Sequence, residues 1–270
     1  MRPYLRLVPT NPAEATLITI PFSHYCEKAR WALDLAGVAY REEGHVPALH
    51  MRATFGAGGK RTVPVLVTRD GVLDDSTAIV EYADRVATET GKLFPAGEAA
   101  RAEVATLEER FDIELGPHIR RVLYFHLLPD RALTLSLMRH ATPAWERGLL
   151  NIAFPVLRAV MRRKMRIDAP SAERSLTKVR RVFDDVAARL ADGRRYLVGD
   201  HLTAADVTFA ALIVPVTRPP EYPVPIPSAD QLPDAARRLV EELAATPAGV
   251  FATRLYREHR PVTRSAYPAA

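Results

Sequence analysis

The 270-residue chain contains a single cysteine, Cys26. One thiol excludes an intrachain disulfide and dithiol oxidoreductase chemistry, and it fits a reducing compartment. No stretch approaches the ~20 apolar residues of a membrane span. The most apolar run, Phe209 to Val216, is interrupted by Pro215. Met1 to Ala15 has three prolines and no apolar core of signal-peptide length, so it reads as an irregular lead-in. A cytoplasmic protein that works away from membranes is expected. The 8 histidines do not fall at metal-ligand spacing, so no metal is expected. There is no internal repeat. The net charge of +5 and pI near 9.5 are not accompanied by a nucleic-acid reader motif, so no nucleic-acid partner is expected.

The apolar content, 48%, is enough for a full core, and the length allows one large or two ordinary domains. The chain is organised around residues 16–37. Thr16 to Ile20 is a short apolar, β-branched run that predicts a buried strand, and Pro21 and Phe22 break it. From Ser23 the period changes. Tyr25, Ala29, Ala32, Leu33 and Ala36 recur at helical spacing, and Gly37 stops the helix. Ser23 stands at the join, where the first N–H groups of the helix lack partners and the positive end of the dipole favours an anion.

Val38 to Glu43 predicts a second strand, and Gly44 to Thr62 a loop with a short helix near Ala48 to Thr54. The run from Val63 to Val67 predicts a third strand. Its proline suits an edge or first-residue position. Asp70-Gly71 marks a hairpin turn before a brief strand at Val72 and Leu73. Asp75 and Ser76 then precede Ala78, Ile79, Tyr82 and Ala83, a capped helix. Gly91 to Ala100 reads as a linker. The resulting division is an α/β domain over 1–95 and an all-α domain over 100–265.

Beyond the linker, strand signals cease. Ala102 to Leu127 predicts one long helix, with Pro117 marking a kink. Arg131 to His140, Glu146 to Ile167 and Ser171 to Ala191 predict three more. The stretch from Arg158 to Arg166 carries five basic residues, read either as a solvated face or as a lure for an anionic substrate. Thr203 and Asp206 form a capping box, with aspartate in the acid position, before the apolar run Val207 to Val214. Six prolines between Pro215 and Pro227 predict an extended loop. Leu232 to Thr246 and Ala248 to His259 predict the last helices.

Four motifs then agree in order. S-H-Y-C at Ser23 to Cys26 has the spacing of a thioredoxin-type active-site turn. V-P-V-L follows at Val63, D-S-T-A-I-V-E-Y at Asp75, and Y-L-V-G-D-x-L-T-x-A-D from Tyr196 to Asp206. Together they make residues 16 to 260 resemble a glutathione S-transferase. The resemblance implies a thioredoxin-like N-terminal domain followed by an all-α domain. It implies glutathione, or another low-molecular-weight thiol, as co-substrate, with no cofactor. It implies a small hydrophobic electrophile, a detoxification role and a homodimer. A scaffold that binds the thiol without turnover is the alternative reading.

Residue by residue, Ser23 matches the position that activates the thiol. Val63 matches the backbone that pairs with the cysteinyl part of the ligand, and Pro64 matches the family's cis proline. Asp75 and Ser76 match the γ-glutamyl site, against capping alone. Arg61, with Lys60 and His50, is a candidate for the glycine carboxylate. Cys26 competes with Ser23 as a catalytic residue, against a role as buried filler, and Tyr25 is a further rival. His24 stands where many members have proline, and G-K-R-T replaces the common N-P-x-G-K. The tail is long for the family and its proline-rich insertion is unusual. Arg121, Tyr124 and Phe125 are candidates for the electrophile wall. His45 belongs to no metal set.

Overall fold

The structure is a computed structural model that describes residues 15–261, so the lead-in expected over residues 1–15 lies, except for Ala15, outside the described residues. Strand β1 (Thr16–Thr19) leads through a turn at Pro21 and Phe22 into α1 (His24–Leu35). Strand β2 is Arg41–Gly44, later than the expected Val38 to Glu43. The reason is the helix exit. Gly37 adopts a φ of 69°, and the N–H of Val38 donates to the Leu33 carbonyl at 3.0 Å, so it is not available to a sheet. Helix α2 (His50–Gly56) follows.

The Val63–Pro64 bond is cis. Pro64 has no N–H for a ladder, and β3 begins after it, at Val65–Thr68. Strand β4 (Gly71–Leu73) and helix α3 (Ser76–Val86) complete the first unit. The sheet order is β2-β1-β3-β4. β1 runs parallel to β2, with Leu17 opposite Glu42, and antiparallel to β3, with Leu17 opposite Leu66. Leu17, Leu33, Leu66 and Ile79 are wholly buried beneath the sheet, and Trp31, also wholly buried, packs against Tyr256.

The second unit is helical. The expected single helix from Ala102 to Leu127 is interrupted before Pro117. α4 (Glu98–Arg110) passes through a π-helical turn, Phe111–Leu115, into α5 (Gly116–Leu127). Pro117 lies in the first turn of α5, where a missing N–H costs nothing. The widening accommodates Tyr25, whose hydroxyl donates to the Asp112 carbonyl at 2.8 Å. A Cβ on Gly116 would sit 2.2 Å from that hydroxyl, so glycine is required at this contact.

Helices α6 (Arg131–Arg139), α7 (Ala144–Lys164) and α8 (Ala169–Leu190) follow, then α9 (Ala204–Leu212) and the short α10 (Val214–Thr217). α11 (Asp234–Ala244) and α12 (Pro247–His259) close the chain. Every residue of α9 is buried, as its apolar run predicts. Its capping box is formed. The Asp206 carboxylate accepts from Thr203 N at 2.8 Å, from Thr203 Oγ1 at 2.7 Å and from Leu197 N at 2.8 Å. α7 buries Leu150, Phe154 and Met161 and exposes a line of Trp145, Leu149, Ile152, Val156 and Val160. No helix among the described residues is long and apolar enough to cross a membrane.

The two units share buried charges. Lys28 of α1 contacts Glu108 and Asp112. Glu27 and Asp34 of α1 each receive Arg260, at the end of α12, at 2.7 Å.

Candidate functional site

A cleft of about 360 Å³ lies where the α1 turn faces the helical unit. Ile20, Phe22, Ser23, His24 and Tyr25 form one wall. His50, Arg61, Thr62 and Val63 lie at the sheet end, α5 and α7 contribute Arg120, Tyr124, Val160 and Lys164, and Pro215, Tyr222 and Ile226 of the proline-rich segment line it as well. The strand–helix join puts Ser23 here by simple geometry. Its N–H closes the turn onto the Ile20 carbonyl at 2.9 Å, and its carbonyl accepts the N–H of Glu27 at 3.0 Å. No side chain caps the first turn of α1. The orphan donors of a helix start are therefore left for a ligand.

Cys26 is fully buried under the same turn and does not line the cleft. Burial pushes its thiol up to about 11, although the Arg30 charge and contacts from the Ile20 backbone and the Ser23 side chain pull it down. A thiol held there is protonated at neutral pH and is a poor nucleophile. Tyr25 lines the cleft with its ring, but its hydroxyl is committed to Asp112, and burial raises its pKa further. His24 is 5% exposed. Burial, aided by the Arg120 charge, pushes it down to about 3, so it faces the cleft as a neutral imidazole with its Nε2 unpartnered.

The remaining expected residues divide. Val63, Arg61 and His50 reach the cleft, and His50 Nε2 bonds the Arg61 carbonyl at 2.9 Å. Pro64 is buried behind Val63. Lys60 instead pairs with Asp74 at 3.1 Å. Asp75 is exposed and caps α3, accepting from Thr77 N at 2.9 Å and Ala78 N at 3.4 Å, while Ser76 beside it is buried. Neither residue borders the cleft itself. His45 is remote from Ser23 in role. It bonds Glu146 at 2.6 Å and Glu43 at 3.1 Å, fastening the loop after β2 to α7.

On the helical wall Tyr124 lines the cleft, but Arg121 and Phe125 do not. Arg121 turns away, donating to the Met165 carbonyl at 2.8 Å and to Ser175 at 2.7 Å. Phe125 packs against the core, with its ring beside His126. Arg120 lies in the cleft beside Arg61 and Lys164, and it is not among the residues that the motifs single out. A signal was present, because Arg120, Leu123, Tyr124 and Leu127 share one helical stripe. Of the five basic residues between Arg158 and Arg166, only Lys164 lines the cleft.

The architecture is a four-stranded thioredoxin-like unit with a serine at the first-helix turn, followed by an all-α unit. Comparison with known proteins agrees. Residues 17–91 match the family model described as glutathione S-transferase, N-terminal domain, and residues 169–241 match glutathione S-transferase, C-terminal domain. The chain belongs to the glutathione S-transferase family. No curated protein matches it.

Among solved structures, it is similar to a glutathione S-transferase of Ceriporiopsis subvermispora in complex with glutathione. That likeness has 18% identity, a TM-score of 0.63, and coverage of 93% of this chain and 100% of that one. It is also similar to a beta-etherase of Sphingobium sp. strain SYK-6 (18% identity, TM-score 0.56, covering 89% and 99%). A third likeness is to a glutathione S-transferase from Rhodospirillum rubrum F11 (21% identity, TM-score 0.53, covering 92% and 96%). At these identities the likeness is one of fold.

Proposed function

We propose that the protein is an enzyme that conjugates glutathione, or another low-molecular-weight thiol, to small electrophiles, with Ser23 stabilising the thiolate. The observation that carries this reading is the position of Ser23, on the cleft wall at the uncapped start of α1. In the reaction the thiolate attacks the electrophilic carbon. A sulfur–carbon bond forms, the bond to the leaving group breaks with its electron pair, and the thiol proton passes to solvent.

Lowering a thiol pKa from ~8.5 to ~6.5 requires about 2.7 kcal/mol of preference for the anion. A helix start supplies roughly 0.3–1 kcal/mol. A hydrogen bond from a hydroxyl to the charged sulfur adds about 1.5–3 kcal/mol. The hydroxyl is therefore needed. In this reading Val63 pairs with the ligand backbone, with Pro64 behind it. Arg61 meets the glycine carboxylate, and Asp75 and Ser76 hold the γ-glutamyl end. The enzyme needs no cofactor and acts as a cytoplasmic homodimer in detoxification.

The test is a pH–rate profile with glutathione and 1-chloro-2,4-dinitrobenzene for Ser23→Ala and Cys26→Ala. Ser23→Ala should raise the pKa of the bound thiol by about 1–2 units and lower turnover at neutral pH. Cys26→Ala should change stability more than rate. If Cys26→Ala abolishes turnover and Ser23→Ala does not, Cys26 is the catalytic residue. Tight retention on immobilised glutathione, with no turnover of any electrophile, would favour a binding protein.

A further inference from the structure

Ionic side chains around the cleft are of one sign. Arg61, Arg120 and Lys164 line it, and no aspartate or glutamate does. Arg61 and Lys164 are exposed at the mouth, whereas Arg120 is part-buried, with its Nε shut off from solvent. Among the described residues that Nε has no hydrogen-bond partner. The guanidinium carbon lies 6.0 Å from the Tyr25 ring centroid. A ring face at that distance offsets part of the desolvation of the cation, but it does not satisfy its N–H groups.

The neighbouring arginine behaves differently. Arg121, one residue on, spends its guanidinium on Met165 and Ser175. The buried arginine of the first unit, Arg30, is bound to Glu42 and Glu27. A planar guanidinium left unmatched beside apolar walls is suited to a carboxylate, whose two oxygens accept two parallel N–H bonds. Leu123, Leu127, Val160 and Met161 in the same lining suit an apolar body on that carboxylate.

We propose that Arg120 is a specificity residue that binds a carboxylate on the electrophilic substrate, so that the cleft selects anionic molecules with an apolar, ring-sized body. Arg61 and Lys164 at the mouth draw such anions inward, and the acid-free lining removes competition for Arg120. This inference rests on the reading of the cleft as the electrophile site. It differs from it in naming the charge of the substrate.

The test is equilibrium binding by titration calorimetry, which needs no turnover. The full chain is titrated with 2-naphthoate and with 2-naphthamide, which share one ring body and differ in charge, and separately with glutathione. The wild type should bind naphthoate at least about tenfold more tightly than naphthamide, the strength of a hydrogen bond to a charged group. Arg120→Gln should remove that preference while changing naphthamide and glutathione binding by less than about twofold. Arg120→Lys, which keeps the charge without the fork, should retain part of it. Melting temperatures of both variants establish that they fold.

The proposal is overturned if the wild type shows no preference or does not bind naphthoate. It is equally overturned if the preference survives in Arg120→Gln. If glutathione affinity falls together with naphthoate affinity in that variant, Arg120 serves the thiol and the proposal fails. A wild type that prefers naphthoate yet conjugates nothing loses the enzymatic reading and keeps Arg120 only as the carboxylate site of a binding cleft, which overturns its role toward an electrophile. One that conjugates neutral electrophiles without the preference keeps the enzymatic reading and overturns this proposal.

Discussion

The ammonium of Lys28 lies 2.6 Å from a carboxylate oxygen of Glu108 and 2.6 Å from one of Asp112, with no part of the lysine side chain exposed. Its third bond goes to Thr77 at 3.1 Å. One cation thus joins α1, α3 and the π-helical turn. Replacing Lys28 by Met should leave Glu108 buried and uncompensated, at a cost of about 3–5 kcal/mol. Adding Glu108→Gln should recover much of that loss. Urea unfolding of the single and double variants measures both, and a loss below about 1 kcal/mol in Lys28→Met would contradict the account.

His45 gives the fold a defined pH dependence. Burial opposes its protonation, but the hydrogen bonds and charges of Glu146 and Glu43 outweigh that and raise its pKa. The folded state therefore holds this proton to higher pH than the unfolded chain, which releases it near 6.5. The stabilisation is complete below that value and is lost as pH rises through the folded pKa. The contribution of His45, read as the wild-type unfolding free energy minus that of His45→Asn, should fall from about pH 6.5 upward, against the opposite contribution of histidines such as His24 whose pKa is lowered. His45→Asn should lack that contribution. A difference between the two curves that is flat or rises over this range would refute the assignment.

The Cys26 thiol should be inert in the native state. With its pKa pushed up to about 11, the thiolate fraction at neutral pH is far below that of a free cysteine. Alkylation by iodoacetamide should be slower by about two to three orders of magnitude than for an exposed thiol, and should become normal in urea. Mass spectrometry of timed samples reads this directly.

Asp206→Ala should act on stability and not on the site. Burial pushes this carboxyl up to about 6, against the three hydrogen bonds it accepts. Truncation strands the buried N–H groups of Leu197 and Thr203, at about 1–3 kcal/mol for each unsatisfied donor. Asp206→Asn, which keeps an acceptor, should cost less. Thermal melts with activity per folded molecule separate the two effects. Lost activity with unchanged melting would be the contrary result.

Features written in local pattern were readable from the sequence. The strand-to-helix change at Ser23, the Thr203–Asp206 box and the apolar α9 each depend on residues within a few positions of one another. Features that depend on rotation about a helix axis or on distant partners were not. Arg120 and Arg121 are adjacent in the sequence, yet one faces the cleft and the other α8, because successive helical side chains point about 100° apart. The π-helical turn meets Tyr25, whose hydroxyl donates to the Asp112 carbonyl across 87 residues. Glu146, which holds His45, stands 101 residues away from it.

The contact between Glu27 and Arg260 sets an order of events during synthesis. The two residues are 233 positions apart, and both side chains are wholly buried. Arg30 alone cannot balance Glu27, because it also serves Glu42. A ribosome releases α1 long before it releases Arg260. Until then the Glu27 carboxylate lacks the guanidinium that meets it in the folded protein and must remain in water. The α1 face that carries Glu27 and Trp31 therefore reaches its native packing only after α12 has emerged. A nascent chain halted before Arg260 holds its first helix in an unfinished state.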